Sequence, residues 1–146
     1  MRKDEFSAPV KILAVLAHPD DEAFGMGGTL AHYAKKGAQV YLICATLGEA
    51  GMVDPNLLQD GQTVASLREQ ELRCSAEALG LKQVILLGYR DSGMQGSPDN
   101  AHPQALAAQK LEDVVAKVVG HMRALQPDIV LTFDPFGGYG HPDHIR

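Results

Sequence analysis

Apolar and polar positions recur along the chain with two different periods, which together predict an ordered series of strands and helices. Short apolar runs rich in β-branched residues predict buried strands, and they cover residues 10–17, 39–45, 83–87 and 128–133. Apolar residues spaced three and four positions apart predict helices between them, at residues 21–36, 63–79 and 111–125. Strands that alternate with helices at this spacing are typical of a parallel sheet with right-handed crossovers. We therefore expect an α/β fold.

Breaks in this pattern indicate where the functional edge of the sheet lies. Two long loops, at residues 46–61 and 89–103, each follow a predicted strand, and loops of that length within a compact domain are usually functional. In a Rossmann-like sheet of strand order 3-2-1-4, the first and fourth strands are neighbours and the order reverses between them. We expect this sheet to be flanked by helices as a three-layer α/β/α structure, with ligands binding at the carboxyl ends of those two strands.

Polar clusters follow the first and the fourth predicted strands. Residues 17–22 read Ala-His-Pro-Asp-Asp-Glu, and residues 141–144 read His-Pro-Asp-His. A turn with a helix-capping aspartate would explain one such cluster, but both clusters carry more imidazole or carboxylate than a cap requires. Imidazole and carboxylate groups are the usual ligands of catalytic zinc or iron. We therefore predict that His18, Asp21 and His144 bind one metal ion.

The remaining polar residues of the two clusters favour hydrolysis of an amide or an ester. A bound metal lowers the pKa of water, and Asp20 is placed to accept the proton as a general base. His141 would direct positive charge toward a developing oxyanion, and Asp143 would hold that imidazole in its charged form. Glu22 fits compensation of the charge at the helix N-terminus.

Composition narrows the range of partners. The chain has 45% hydrophobic residues, a net charge of −5 and only 5% aromatic residues, so it offers neither a basic surface nor a stacking platform for nucleic acid. The apolar run before His18 is too short for a membrane span and is followed by charged residues. We expect a single domain over residues 1–146 in the cytoplasm, with no nucleic-acid or membrane partner.

The sequence stops directly after the second cluster, with no helix to cover the fourth strand. An uncovered strand edge is a site for pairing with another chain. We expect a parent protein that continues with at least one more helix and strand, so that residues 1–146 form the N-terminal part of the domain. For the chain alone, we expect a homo-oligomer that hides the apolar edge.

Five motifs together resemble the LmbE-like (PIG-L) family of zinc-dependent de-N-acetylases. They are the two polar clusters, Gly-Gly-Thr-Leu at 27–30, Thr-Leu-Gly-Glu at 46–49 and Arg-Glu at 68–69. The resemblance implies removal of acetyl from N-acetylglucosamine on varied aglycones, including precursors of mycothiol, bacillithiol and glycosylphosphatidylinositol, or from chitooligosaccharides. The substrate would thus be a small N-acetylated amino sugar. The family's C-terminal third has no counterpart in this sequence.

The same resemblance implies roles for individual residues. Zn²⁺, with Fe²⁺ as the alternative, would be held by the three predicted ligands, and Asp20 would be the base. His141 would stabilise the oxyanion, Asp143 would orient His141, and Tyr139 stands where family members carry a mobile tyrosine near the site.

Substrate contacts are predicted at four further positions. Arg68 lies on the inward stripe of its helix, where a charge usually meets a partner or ligand. Glu49 and Asp91 lie in loops at the predicted active edge, and the family pattern implies sugar-hydroxyl contacts there. Ser92 is added beside Asp91. A loop cap or a solvated charge is the alternative explanation for each loop residue.

Two other functional classes share some of these features. A non-haem iron oxygenase also uses two histidines and one carboxylate, but commonly with His-x-Asp spacing on a jelly roll. A non-catalytic nucleotide-binding module would suit the fold, and the glycines at residues 25–28 invite that interpretation. However, Leu30 occupies the position of the third glycine in the dinucleotide fingerprint, so close helix packing explains these glycines more simply.

Overall fold

Four parallel strands form the sheet of the computed structural model, which describes residues 9–146. The strands are β1 (Lys11–Leu16), β2 (Gln39–Cys44), β3 (Gln83–Leu86) and β4 (Ile129–Leu131), in the order β3-β2-β1-β4. Each neighbouring pair is parallel. The predicted fold class and strand order are therefore confirmed. Each strand is one to three residues shorter than its predicted apolar run.

Helices cover both faces of the sheet. They are α1 (Asp21–Lys35), α2 (Val64–Leu79), α3 (Leu111–Leu125) and the short α4 (Gly137–Gly140) and α5 (Pro142–Ile145). Successive side chains of a strand point to opposite faces, so Ile12 packs with Leu30 of α1 and Leu72 of α2. On the other face, Leu13 packs with Val114 of α3. The three-layer arrangement follows from this alternation.

The packing of α1 against α2 explains one of the glycines in the first helix. A Cβ atom on Gly27 would lie 3.5 Å from the Leu79 side chain, whereas one on Gly25 or Gly28 would meet nothing within 4 Å. Close helix packing, the interpretation preferred above, therefore accounts for Gly27 and not for the other two glycines.

The outer face of α3 and the β4 edge leave apolar surface uncovered within residues 9–146. Part of the apolar stripe of α3 does not pack against the sheet: Leu111 and Val115 are both 47% exposed. On the edge strand, Ile129 is 42% exposed. A groove of about 240 Å³ runs between α3 and the carboxyl ends of β1 and β4. None of the helices in the described residues is both long enough and apolar enough to cross a bilayer.

Candidate active site

The three predicted metal ligands converge where β1 ends and where the chain returns after β4. His18 Nδ1 lies 3.1 Å from His144 Nε2, and His144 Nε2 lies 3.3 Å from Asp21 Oδ1. His18 Nδ1 is 3.6 Å from Asp21 Oδ2. Donor atoms bound to one tetrahedral zinc at about 2.1 Å are separated by roughly 3.4 Å. The separations from His144 Nε2 to His18 Nδ1 and to Asp21 Oδ1 are close to this value. Three such donors would leave the fourth position of a tetrahedral ion for water or substrate.

Hydrogen bonds on the far side of each ligand leave one donor atom free to face this point. His144 Nδ1 lies 3.1 Å from the Gly137 carbonyl oxygen, which places the ring proton there and leaves Nε2 as the donor atom. His18 Nε2 lies 3.1 Å from Asp143 Oδ2, which leaves His18 Nδ1. Asp21 Oδ2 accepts from the His18 amide at 2.7 Å, which leaves Oδ1. Such outer partners orient the ligands of metal sites.

Two other sets of residues could hold a metal ion, because their donor atoms lie within 4.8 Å of one another. One set is His18, His141 and His144, and the other is His18, Asp91, His141 and Asp143. In the second of these groups, the Asp143 carboxylate already accepts hydrogen bonds from Ser92. We keep the predicted set with Asp21, because Asp21 Oδ1 lies 3.3 Å from His144 Nε2. His141 is then an adjacent residue on the site wall.

His18 is surrounded by carboxylates. Burial alone would lower its pKa, but hydrogen bonds to Asp143, Asp21 and Asp91 outweigh burial and raise the pKa to about 11. Burial would raise the pKa of Asp21, yet its bonds with His144 and His18 hold it well below the usual range. Without a metal, a proton on His18 supplies the positive charge that these carboxylates require. A divalent cation would supply that charge instead and release the proton.

Asp20, the predicted base, has an unusual backbone conformation. Its φ is 110°, a region that L-residues with a Cβ rarely adopt and that costs about 1–3 kcal/mol. It occupies the N-cap position of α1, yet its side chain makes no cap hydrogen bond. The carboxylate instead accepts from Arg68 Nη2 at 2.7 Å. Burial raises the pKa of Asp20, with the Arg68 charge opposing the rise.

The second cluster differs in one contact from the sequence prediction. The Asp143 carboxylate accepts from the Ser92 amide at 2.9 Å and from the Ser92 hydroxyl, and faces His18. His141 contacts Asp143 through the backbone, because the Asp143 amide donates to His141 Nδ1 at 3.2 Å. Burial and the neighbouring His18 charge lower the pKa of His141. The Tyr139 ring lies 5.0 Å from the His144 ring, between centroids.

These residues open onto a cleft of about 820 Å³. Its wall includes Arg68 and Asp91 of the predicted substrate contacts. Glu49 instead accepts from the Asp91 amide at 3.0 Å, which is the loop-cap alternative, and Ser92 is fully buried behind Asp143. Arg68 also donates to the carbonyls of Pro19 and Gly48. Direct sugar contacts by Glu49 and Ser92 remain predictions that these positions do not favour.

Glu22 is the site residue that the sequence interpretation missed. Its side chain is buried and accepts from the Ser75 hydroxyl and from the Asp20 amide. A charge at a helix N-terminus would not need burial, so dipole compensation does not explain it. The signal in the sequence was Ser75, a polar residue on the inward stripe of α2 that also carries Arg68.

Comparison with known proteins places this site in context. The family model described as GlcNAc-PI de-N-acetylase (PIG-L) matches residues 13–146. A relative in Actinosynnema mirum, 1D-myo-inositol 2-acetamido-2-deoxy-alpha-D-glucopyranoside deacetylase, is 42% identical over 149 residues, covering 96% of this chain and 53% of that protein. A relative of the same name in Geodermatophilus obscurus is 44% identical over 145 residues, covering 93% of this chain and 49% of that protein.

A solved structure extends the likeness to three dimensions. N,N'-diacetylchitobiose deacetylase from Pyrococcus horikoshii, complexed with its inhibitor MPG, matches with a TM-score of 0.73 and 33% identity, covering 96% of this chain and 47% of that chain. The chain therefore spans about half the length of the curated relatives that it matches.

Proposed function

We propose, on the premise that the chain belongs to the PIG-L family of GlcNAc-PI de-N-acetylases, that the protein hydrolyses the N-acetyl amide of an N-acetylglucosamine conjugate. One observation carries the proposal: beside a cleft, His144 Nε2 lies 3.1 Å from His18 Nδ1 and 3.3 Å from Asp21 Oδ1, so two imidazoles and one carboxylate meet at one point. A metal bound there would act as a Lewis acid that lowers the pKa of water and polarises the amide carbonyl.

The residues around the ligands match the needs of amide hydrolysis. Asp20 accepts a proton from the attacking water while the water oxygen adds to the carbonyl carbon of the acetamide. His141, on the cleft wall, donates a hydrogen bond to the carbonyl oxygen as negative charge develops. The C–N bond then breaks, and the proton held by Asp20 passes to the leaving nitrogen. The products are acetate and the free amine.

The substrate class follows from the relatives and the cleft together. The relatives named above are deacetylases of sugars that carry an acetamido group. In this chain, Asp91 and Arg68 supply a carboxylate and a guanidinium to the cleft wall, which suit the hydroxyl groups of a sugar. The metal in this proposal is Zn²⁺, with Fe²⁺ as the alternative. The two competing functions that experiment has to exclude are an iron oxygenase and a nucleotide-binding module.

Metal content and amine release test this proposal together. The purified protein is expected to bind one equivalent of Zn²⁺ or Fe²⁺ and to release free amine from at least one member of a panel of N-acetylglucosamine conjugates. Removal of the metal by a chelator should abolish release, and added metal should restore it. Mass spectrometry of metals and amine labelling provide the measurements.

Three outcomes would overturn the proposal. Turnover that requires oxygen would favour an oxygenase, and tight nucleotide binding without metal would favour a binding module. Metal binding without amine release from any acetylated amino sugar would contradict the de-N-acetylase function while leaving the metal site intact.

We also propose that the protein is cytoplasmic and that two or more copies of the chain associate. Among residues 9–146, no strand pairs with the outer edge of β4, where Ile129 and Val130 are more than 40% exposed. This edge can therefore pair with a second copy of the chain. Sedimentation velocity is expected to show a dimer or larger species that an Ile129→Lys change shifts toward monomer. A wild-type protein that is monomeric at micromolar concentration would contradict this.

A further inference from the structure

Glu22 carries a buried carboxylate that the proposed hydrolysis does not use. It is only 1% exposed, although glutamates are rarely buried unless they are paired. Both of its oxygens accept hydrogen bonds: Oε1 from the Ser75 hydroxyl at 2.5 Å and Oε2 from the Asp20 amide at 3.0 Å. Such donors replace the water that a carboxylate loses on burial. Glu22 therefore connects α2 to the backbone of the proposed base.

The backbone of Asp20 requires this kind of support. Its φ of 110° and ψ of −31° lie where an aspartate remains only when the surrounding structure holds it. The Asp20 carbonyl accepts from the Ala23 and Phe24 amides, both at 2.9 Å. The Asp20 amide points the other way, to Glu22. Both peptide groups that flank Asp20 are thus held: Glu22 holds the Pro19–Asp20 peptide, and the amides of α1 hold the Asp20–Asp21 peptide.

The direction of the Asp20 carboxylate depends on that peptide. Arg68 binds the carboxylate at 2.7 Å and the neighbouring Pro19 carbonyl at 2.5 Å. A rotation of the peptide between Pro19 and Asp20 would move both acceptors relative to the guanidinium and reorient the carboxylate in the cleft. The backbone conformation of Asp20, which Glu22 holds, therefore determines the position of the Asp20 carboxylate in the cleft.

We propose that Glu22 is a positioning residue, which holds the backbone of Asp20 in its positive-φ conformation so that the Asp20 carboxylate faces the reacting water. This inference rests on the proposed function, because it requires Asp20 to be the base. In the competing explanation, Glu22 only joins α1 to α2 through Ser75, and its loss would affect stability without affecting Asp20.

Three variants separate the two explanations. Glu22→Leu removes both acceptors, and we expect kcat to fall at least about tenfold with KM and metal content unchanged. Glu22→Gln keeps one acceptor oxygen, and we expect kcat within about threefold of wild type. Ser75→Ala removes the bond to α2 but keeps the Asp20 bond, so it should lower the thermal midpoint while changing kcat less than about threefold. Glu77→Leu, at an exposed position of α2, is the matched control.

A structural readout makes the test independent of activity. In the wild-type protein the Asp20 amide should exchange slowly with solvent, and in Glu22→Leu its ¹⁵N–¹H resonance should shift and its exchange should accelerate. An unchanged Asp20 amide, or an equal loss of kcat in Ser75→Ala and Glu22→Leu, would overturn the proposal. If the wild-type protein hydrolyses no conjugate, the proposed function fails, whereas the amide measurement still decides whether Glu22 holds Asp20.

Discussion

Replacing Asp20 with asparagine is expected to lower turnover by about 10²–10⁴-fold while metal content stays at one equivalent. General acid–base catalysis contributes an effect of this size, and an amide cannot take the proton from water. Asparagine keeps an oxygen that can accept the Arg68 hydrogen bond, so the turn should stay intact. Metal analysis and steady-state amine release on the same protein provide the measurement.

The matched control for this change is Asp60→Asn, which alters an exposed loop carboxylate in the same way. It should leave both turnover and metal content at wild-type values. A near-normal rate in Asp20→Asn would remove the base assignment. Loss of metal in that variant would instead show that Asp20 belongs to the ligand set.

Replacing His18 with alanine is expected to remove both metal and activity. The change deletes one of three donors and leaves the carboxylates of Asp143 and Asp91 without the imidazole that lies 3.1 Å and 3.4 Å from them. Loss of an outer partner alone costs about 10–100-fold in metal affinity, so loss of a ligand should exceed that range. Competition with a chromophoric chelator measures the affinity.

His141→Ala provides the contrasting variant, because it removes an imidazole from the same cleft without removing a proposed ligand. Its turnover should fall while its metal affinity stays within about tenfold of wild type. Loss of the metal in His141→Ala, together with retention in His144→Ala, would mean that the two histidines of the second cluster have exchanged roles.

Much of the fold follows from the sequence because it depends on local patterns. The apolar runs predict the strands, and the crossover rule restricts their order, so the meeting of His18 with His144 across 126 positions could be anticipated. The exposure of Leu111 and Val115 on the α3 stripe could not be anticipated. Periodicity shows which face of a helix is apolar, and it does not show how much of that face finds a partner.

Contacts between distant segments account for the rest. The direction of the Asp143 carboxylate is set by Ser92, 51 positions earlier, and the burial of Glu22 depends on Ser75, 53 positions later. Neither pairing has a local signature. Sequence reasoning therefore identified the residues that gather at the site. It did not anticipate that Asp143 meets the His141 imidazole through its backbone amide, and it assigned Glu22 to the helix dipole.

The backbone angle of Asp20 also determines how this protein would respond to artificial selection. Glycine adopts a positive φ without strain, so Asp20→Gly would relieve about 1–3 kcal/mol of backbone strain, against about 0.4–1 kcal/mol lost to the greater freedom of glycine in the unfolded chain. The ion pair with Arg68 that it forfeits involves a carboxylate side chain that is 48% exposed, and such pairs contribute about 1 kcal/mol or less. A library ranked by melting temperature would therefore enrich glycine at this codon and discard the carboxylate. Engineering for heat resistance must hold position 20 fixed.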